Sequence, residues 1–213
     1  MIGTKSKVLQ TGVFLGLLLP VLAIGSACTP IGAVVGAGAT AGVAAMSERG
    51  VQGTASDLAV HAQVLEKIAS ADHGLAASLS FEVYEGKVLA VGPVADEAEM
   101  AKVVGLIWQV DGVTDVINEL MLTDNSSLLD TTRDNWISTQ LKTALTFDGD
   151  VFAINYGIET KNKIVYLMGI AQSQRELDRV IAHARAIDYV RRVVSHVRIK
   201  TPAESAKTEK GAS

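Results

Sequence analysis

The apolar positions of this chain switch between two spacings, and the switch happens twice in the same order. Leu58, Ala62, Leu65, Ile68 and Ala69 recur at helical intervals and predict a helix over 58–69, with Asp57 as its N-cap. Leu79, Phe81 and Val83 alternate with polar residues, as in a half-buried strand. Glu85-Gly86-Lys87 reads as a tight turn and 88–91 as a second strand. A helix follows over 94–110, with Asp96, Glu97 and Glu99 suited to its positive N-terminal end. Asp111-Gly112 ends it, and 113–122 is the last strand. Further on, Ile137, Leu141, Ala144 and Leu145 share one face of a helix over 134–145. Phe152, Ile154 and Tyr156 begin a strand, Lys161-Asn162-Lys163 turns, and 164–168 returns. Ser173 caps a helix ending near Asp188, and 189–200 is a final strand.

The two passages are a repeat. Residues 88–120 and 165–197 align without a gap. Gly92 falls on Gly169, Glu99 on Glu176, Val110 on Ile187, Asp111 on Asp188 and Val116 on Val193. Val60 is placed opposite Trp136. The expected class is α+β, with two tandem αββαβ modules, each a three-stranded mixed sheet packed on two helices. The polar connector between them predicts modules that fold separately.

Two segments in each copy carry a family resemblance. They are Val88-Leu89-Ala90-Val91-Gly92 with Val110-Asp111-Gly112-Val113-Thr114-Asp115-Val116, and Val165-Tyr166-Leu167-Met168-Gly169 with Ile187-Asp188-Tyr189-Val190-Arg191-Arg192-Val193. This order resembles the BON domain, although Tyr189 stands where the first copy has Gly112. With Cys28, the Ser47-Glu48-Arg49-Gly50 lead and Asp134-Asn135-Trp136-Ile137, the chain is similar to the dual-BON lipoproteins of Gram-negative outer membranes. The resemblance implies periplasmic domains, contact with anionic phospholipid, a role in envelope integrity and no enzyme activity.

The N-terminus reads as an export signal. Lys5 and Lys7 precede an apolar run over 8–24, and Gly25-Ser26-Ala27 supplies small residues before the only cysteine, Cys28. A lone cysteine there has no disulfide partner and suits lipidation. Gly25 stands where lipoprotein signals usually have Leu, so ordinary cleavage stays open, as does a transmembrane anchor. The expected organisation is signal peptide 1–27, lipidated Ala/Gly-rich tether 28–53, first module 54–124, second module 130–200 and disordered tail 201–213. Thr29 after Cys28 suits the outer-membrane pattern, so the expected location is the periplasmic face of the outer membrane.

Charge then separates the copies. Over 54–124 the bases are only Lys67, Lys87 and Lys102 against many acids. Over 130–200 Arg and Lys outnumber acids. A basic module near an anionic membrane gains about 1 kcal/mol per well-placed base. Attraction between the modules, or plain solvation, stays open beside this reading. Trp136 and Phe147 project off the core stripe of their helix, and with Arg133 and Lys142 they form the candidate lipid-binding set. A Trp covering a sheet edge is the alternative. His61, His73, His183 and His196 are scattered without metal-ligand spacing, so no metal, cofactor or catalytic residue is expected. Export and a net charge of −4 disfavour nucleic acid. The expected function is a non-enzymatic envelope protein with the anionic membrane as partner. A scaffold for envelope assembly proteins and a soluble periplasmic stress protein are the alternatives. Oligomeric state is left open.

Overall fold

One buried aspartate sets the frame of each module. Asp57 lies well inside helix α1 (Gly50–Ala71), and its carboxylate accepts the backbone N–H groups of Glu85 and Gly86 at 3.0 and 2.9 Å. The chain turns there with positive φ at both residues, as a two-residue hairpin between twisted strands requires. In the second copy Asp134 accepts the N–H groups of Asn162 and Lys163, each at 2.8 Å, on the same kind of turn. Asp57 is therefore a latch between helix and hairpin, and not the expected N-cap.

The latch fixes which way α1 faces. Residues on the Asp57 side, Val60, Val64 and Ile68, are buried, while Leu58 is 55% exposed. Of the expected stripe, Ile68 is buried and Leu65 packs against the core, while Leu58 and Ala62 face solvent. The latches also correct the alignment. Asp57 matches Asp134, so Val60 matches the buried Ile137, and Ala59 is the counterpart of Trp136.

The described residues of this computed structural model are 46–123, 131–202 and 204. Cys28, the signal peptide, the tether up to residue 45, the connector 124–130 and residues 205–213 lie outside them. All described residues belong to the compact unit Gly36–Ser213. After α1, Asp72 caps the short α2 (His73–Ser78). Strands β1 (Ser80–Tyr84) and β2 (Lys87–Val94) pair antiparallel. Helix α3 (Glu97–Ile107), capped by Asp96, crosses to β3 (Asp115–Leu122), which runs parallel to β2. The second copy repeats this with α4 (Thr131–Thr146), β4 (Tyr156–Lys161), β5 (Ile164–Ala171), α5 (Gln174–Ala186) and β6 (Arg192–Ile199). Sheet orders are β1-β2-β3 and β4-β5-β6, so the mixed three-stranded modules are as expected. The folded part starts earlier than the expected boundary. Glu48 and Arg49 are already held, Glu48 by Asn155, Gln172 and Lys200, Arg49 by Asp57 at 2.6 Å.

Each sheet buries one face under its own helices. Phe81, Val83, Val88 and Ala90 meet Val64, Val103 and Ile107; Ile158, Val165 and Leu167 meet Ile137, Leu141 and Val180. Apart from Ala90, each such side chain stabilises the fold by about 1.5–3 kcal/mol when fully buried. The opposite faces meet each other. Tyr84, Leu89 and Val91 form one buried cluster with Tyr166, Met168 and Ile170. Helix, sheet, sheet and helix layers therefore stack in one unit, where the connector suggested separate bodies. Polar contacts cross the same boundary: Arg198 forms an ion pair with Glu85 at 2.8 Å, and His196 Nε2 lies in hydrogen-bond contact with Glu119 at 2.9 Å. Part of the acidic–basic contrast between the copies thus serves their mutual contact.

A carboxylate pair also lies here. Glu82 on β1 and Glu159 on β4 occupy matching repeat positions, and Glu82 packs where a Cβ on Gly157 would sit. Burial pushes Glu82 up to about 7, with Lys142 opposing and Glu159 reinforcing the shift. Burial raises Glu159 too. The folded state therefore holds a proton that the unfolded chain releases between the ordinary carboxylate range and pH 7. Stability falls as pH rises through that window, by about 3 kcal/mol at most for Glu82. We expect Glu82→Gln to raise the urea midpoint at pH 8 and to change it little at pH 4. An equal effect at both pH values would refute the assignment.

Candidate lipid-facing surface

Helix α4 turns Asp134, Ile137, Leu141 and Leu145 inward, which leaves its other flank to solvent. Trp136 is 41% exposed on that flank. Its ring meets Tyr189 edge-on, with centroids 6.0 Å apart and planes at 71°. Arg133 lies over the other ring of the pair, its guanidinium 4.5 Å from the Tyr189 centroid. Such a cation–ring contact is worth about 0.5–1 kcal/mol at an exposed site. Tyr189 is itself more than half exposed.

Tyr189 holds φ +70°, a left-handed backbone that aromatic residues rarely adopt. The first copy has Gly112 at this turn, with φ +90°. The position calls for glycine, and the second copy carries a bulky ring there at a cost of about 1–2 kcal/mol. The other two members are also additions. Ser56 and Ala59 stand in the first copy where Arg133 and Trp136 stand in the second. One backbone scaffold therefore carries an aromatic–basic patch in one copy and none in the other.

The expected set does not gather at one point. Arg133 and Trp136 meet through Tyr189. Lys142 lies on another flank, beside a shallow apolar hollow with Leu145, Ile154, Tyr156 and Ile158, and within the field of Glu82 and Glu159. Phe147 stands just past the C-terminal end of α4, 85% exposed, about 16 Å along the axis from Trp136. Phe152 is exposed nearby in sequence, and the loop holding both is locked. Asp148 accepts hydrogen bonds from Arg179 Nε at 2.5 Å and pairs with His183 Nε2 at 2.6 Å, which hold its carboxyl well below the usual range. The Phe152 N–H donates to Glu176 at 2.9 Å. Tyr189 was not among the expected site residues, although its place at a glycine position was the available signal. His61, His183 and His196 each bond a carbonyl or carboxylate between elements. Among the described residues no group of His, Cys, Asp and Glu is arranged to hold a metal, and no helix is long and apolar enough to cross a membrane.

Comparison with known proteins accounts for the doubled architecture. The model of the BON domain matches residues 56–124 and again 133–201. The chain belongs to the dual-BON family. It is 31% identical to the outer membrane lipoprotein DolP of Haemophilus influenzae over 68% of this chain and 76% of that protein. A protein in the gshII 5′ region of Anaplasma centrale is 37% identical over 60% of this chain and 85% of its own length. The osmotically inducible protein Y of Escherichia coli is 27% identical over 68% of this chain and 73% of that one. Both matched BON segments fall on the two αββαβ copies, and the patch of Arg133, Trp136 and Tyr189 lies in the second BON domain.

Proposed function

We propose that this protein is a non-enzymatic, lipid-anchored envelope protein that binds anionic phospholipid through its second BON domain and supports outer-membrane integrity. The observation that carries the reading is the Arg133–Tyr189–Trp136 assembly, built on a strained turn in one copy and absent from the other. Amphipathic rings beside a guanidinium suit the headgroup level of a bilayer. Cys28 is the proposed acylation site, on the periplasmic face, and the name of the Haemophilus relative, an outer membrane lipoprotein, supports an outer-membrane location. From Cys28 to the stapled Glu48 the chain reaches at most about 70 Å, which keeps both domains near the surface.

A second reading, docking to envelope assembly proteins, has its own observation. The outward side of α1 presents Val51, Ala55, Leu58 and Ala62 to solvent. The two readings separate in one co-sedimentation assay on the unit Gly36–Ser213, which lacks the acyl site. Binding to anionic vesicles is expected, with none to neutral ones, and added salt weakens it because exposed charges are screened over about 8 Å. Trp136→Ala weakens binding several-fold without lowering the unfolding midpoint, since the core stripe of α4 is untouched. Tyr189→Gly does the same while easing the backbone. Equal binding by these variants and the wild type would favour the docking reading.

A further inference from the structure

The boundary between the two sheets carries proton-binding groups along both of its borders. Strands β1 and β4 meet along one border, and β3 faces β6 along the other. On the first border, Glu82 points away from the helix-facing Phe81 and Val83, and its side chain lies against the backbone of Gly157 on β4. The repeat equivalents exchange places there. Glu159 is the equivalent of Glu82, and it accepts from the hydroxyl of Ser80, the equivalent of Gly157. Lys161 on β4 donates to Ser80 Oγ at 3.2 Å. Among the described residues neither carboxylate forms an ion pair. The other charged groups facing the pair are Lys142 and Asp134 on α4, Asp57 on α1 and Arg49 before it. Asp134 is held by its hairpin, and Asp57 by its hairpin and Arg49. On the second border His196 Nε2 meets Glu119 at 2.9 Å, with Arg192 beside them on the Tyr166 hydroxyl.

Both borders hold better with a proton in place. Protonated Glu82 is a neutral acid, whereas its ionised form brings a charge into the boundary beside a second carboxyl. Protonated His196 is a cation on Glu119, and the neutral ring offers only a hydrogen bond. Between the borders, Tyr84, Leu89 and Val91 supply an apolar contact with Tyr166, Met168 and Ile170. We propose that the sheet–sheet boundary is a proton-operated joint, which acid tightens through Glu82 and His196 and base loosens. Burial already holds Glu82 at about 7, so the joint responds around neutrality. Loosening it bares the apolar faces of both sheets. The joint stands whether or not the second domain meets phospholipid.

For the test, the unit Gly36–Ser213 is cut once, at a protease site inserted in the connector 124–130, so that non-covalent contacts alone hold the halves together. Their dissociation constant is read by dilution, from the anisotropy of a dye on Q140C, an exposed position of α4 in a unit that has no cysteine of its own. The halves are expected to bind about thirtyfold more tightly at pH 5.5 than at pH 8, the linkage of a Glu82 that returns to the ordinary carboxylate range on release. E82Q is expected to remove most of that ratio by tightening the pair at pH 8. E159Q, which takes away the neighbouring carboxyl, is expected to lower the ratio as well, and it carries the test if E82Q does not assemble. H196Q is expected to weaken the pair at pH 5.5 and to change it little at pH 8. E97Q removes an exposed carboxylate from the first turn of α3 and is expected to leave the ratio alone. A wild-type ratio near one, or a ratio that E82Q and E159Q both leave unchanged, overturns the joint. A ratio that E97Q lowers as much as E82Q does overturns it too, because general repulsion between the halves would then account for the pH dependence.

Discussion

Gly169→Ala is expected to unfold the second BON domain, at a cost above about 4 kcal/mol. Gly169 holds φ +132°, and a Cβ there would run into the Asn155 carbonyl oxygen. Neither side can yield. Gly169 pairs with Tyr156 across one strand and Val197 across the other, and Asn155 is 1% exposed with its side chain on the Glu48 N–H. Gly92 is the matching residue of the first copy, with φ +139°. There the new Cβ would come within 2.9 Å of the Ser78 carbonyl oxygen and of Leu79 Cδ2. The Leu79 methyl can swing aside, so Gly92→Ala is expected to cost less than Gly169→Ala. Gly105→Ala is the control, because it lies mid-helix in α3 with nothing within 4 Å of the added methyl. It should stabilise by about 0.5–1 kcal/mol. Urea midpoints of the three variants test the order directly. A folded Gly169→Ala protein with an unchanged midpoint would contradict the strand pairing described here.

Leu89→Ala is expected to destabilise both domains at once, although the residue belongs to the first. Leu89 is fully buried in the cluster with Tyr166 and Met168 of the second sheet. Removing a buried leucine side chain costs about 2–5 kcal/mol. The decisive feature is where the loss is read. In a Trp108→Phe background the remaining tryptophan is Trp136, so its fluorescence follows the second domain only. A lowered midpoint by that probe means the sheets unfold together. A midpoint that stays put, or separate chains over 46–123 and 131–204 as stable as the whole, would mean that the shared cluster couples nothing.

The element order, the strand-ending glycines and the αββαβ repeat were legible because they depend on local period and turn chemistry. The α4 stripe of Ile137, Leu141 and Leu145 was read correctly for the same reason. The α1 stripe was right at Ile68 and Leu65 but not at Leu58 and Ala62, because an alanine-rich helix offers two overlapping apolar faces and Asp57 chooses between them. Carrying the α4 stripe back through the repeat gives Val60, Val64 and Ile68, the residues that are buried. The joining of the two sheets was harder to see. Its trace is that β2 and β5 are apolar at consecutive positions, Val88 to Val91 and Val165 to Met168, as strands covered on both faces are. The candidate patch was half legible. Trp136 and Arg133 stood out by type and helical position, but Tyr189 joins them through a turn that no periodicity reveals.

Membrane binding through the second BON domain requires Trp136 to enter an anionic interface. The direct measurement is the emission of Trp136 in the Trp108→Phe unit as vesicles are added. A blue shift is expected on vesicles containing phosphatidylglycerol, reversed by salt and absent on pure phosphatidylcholine. An emission maximum that does not move on anionic vesicles, or one that moves equally on neutral vesicles, would contradict the account.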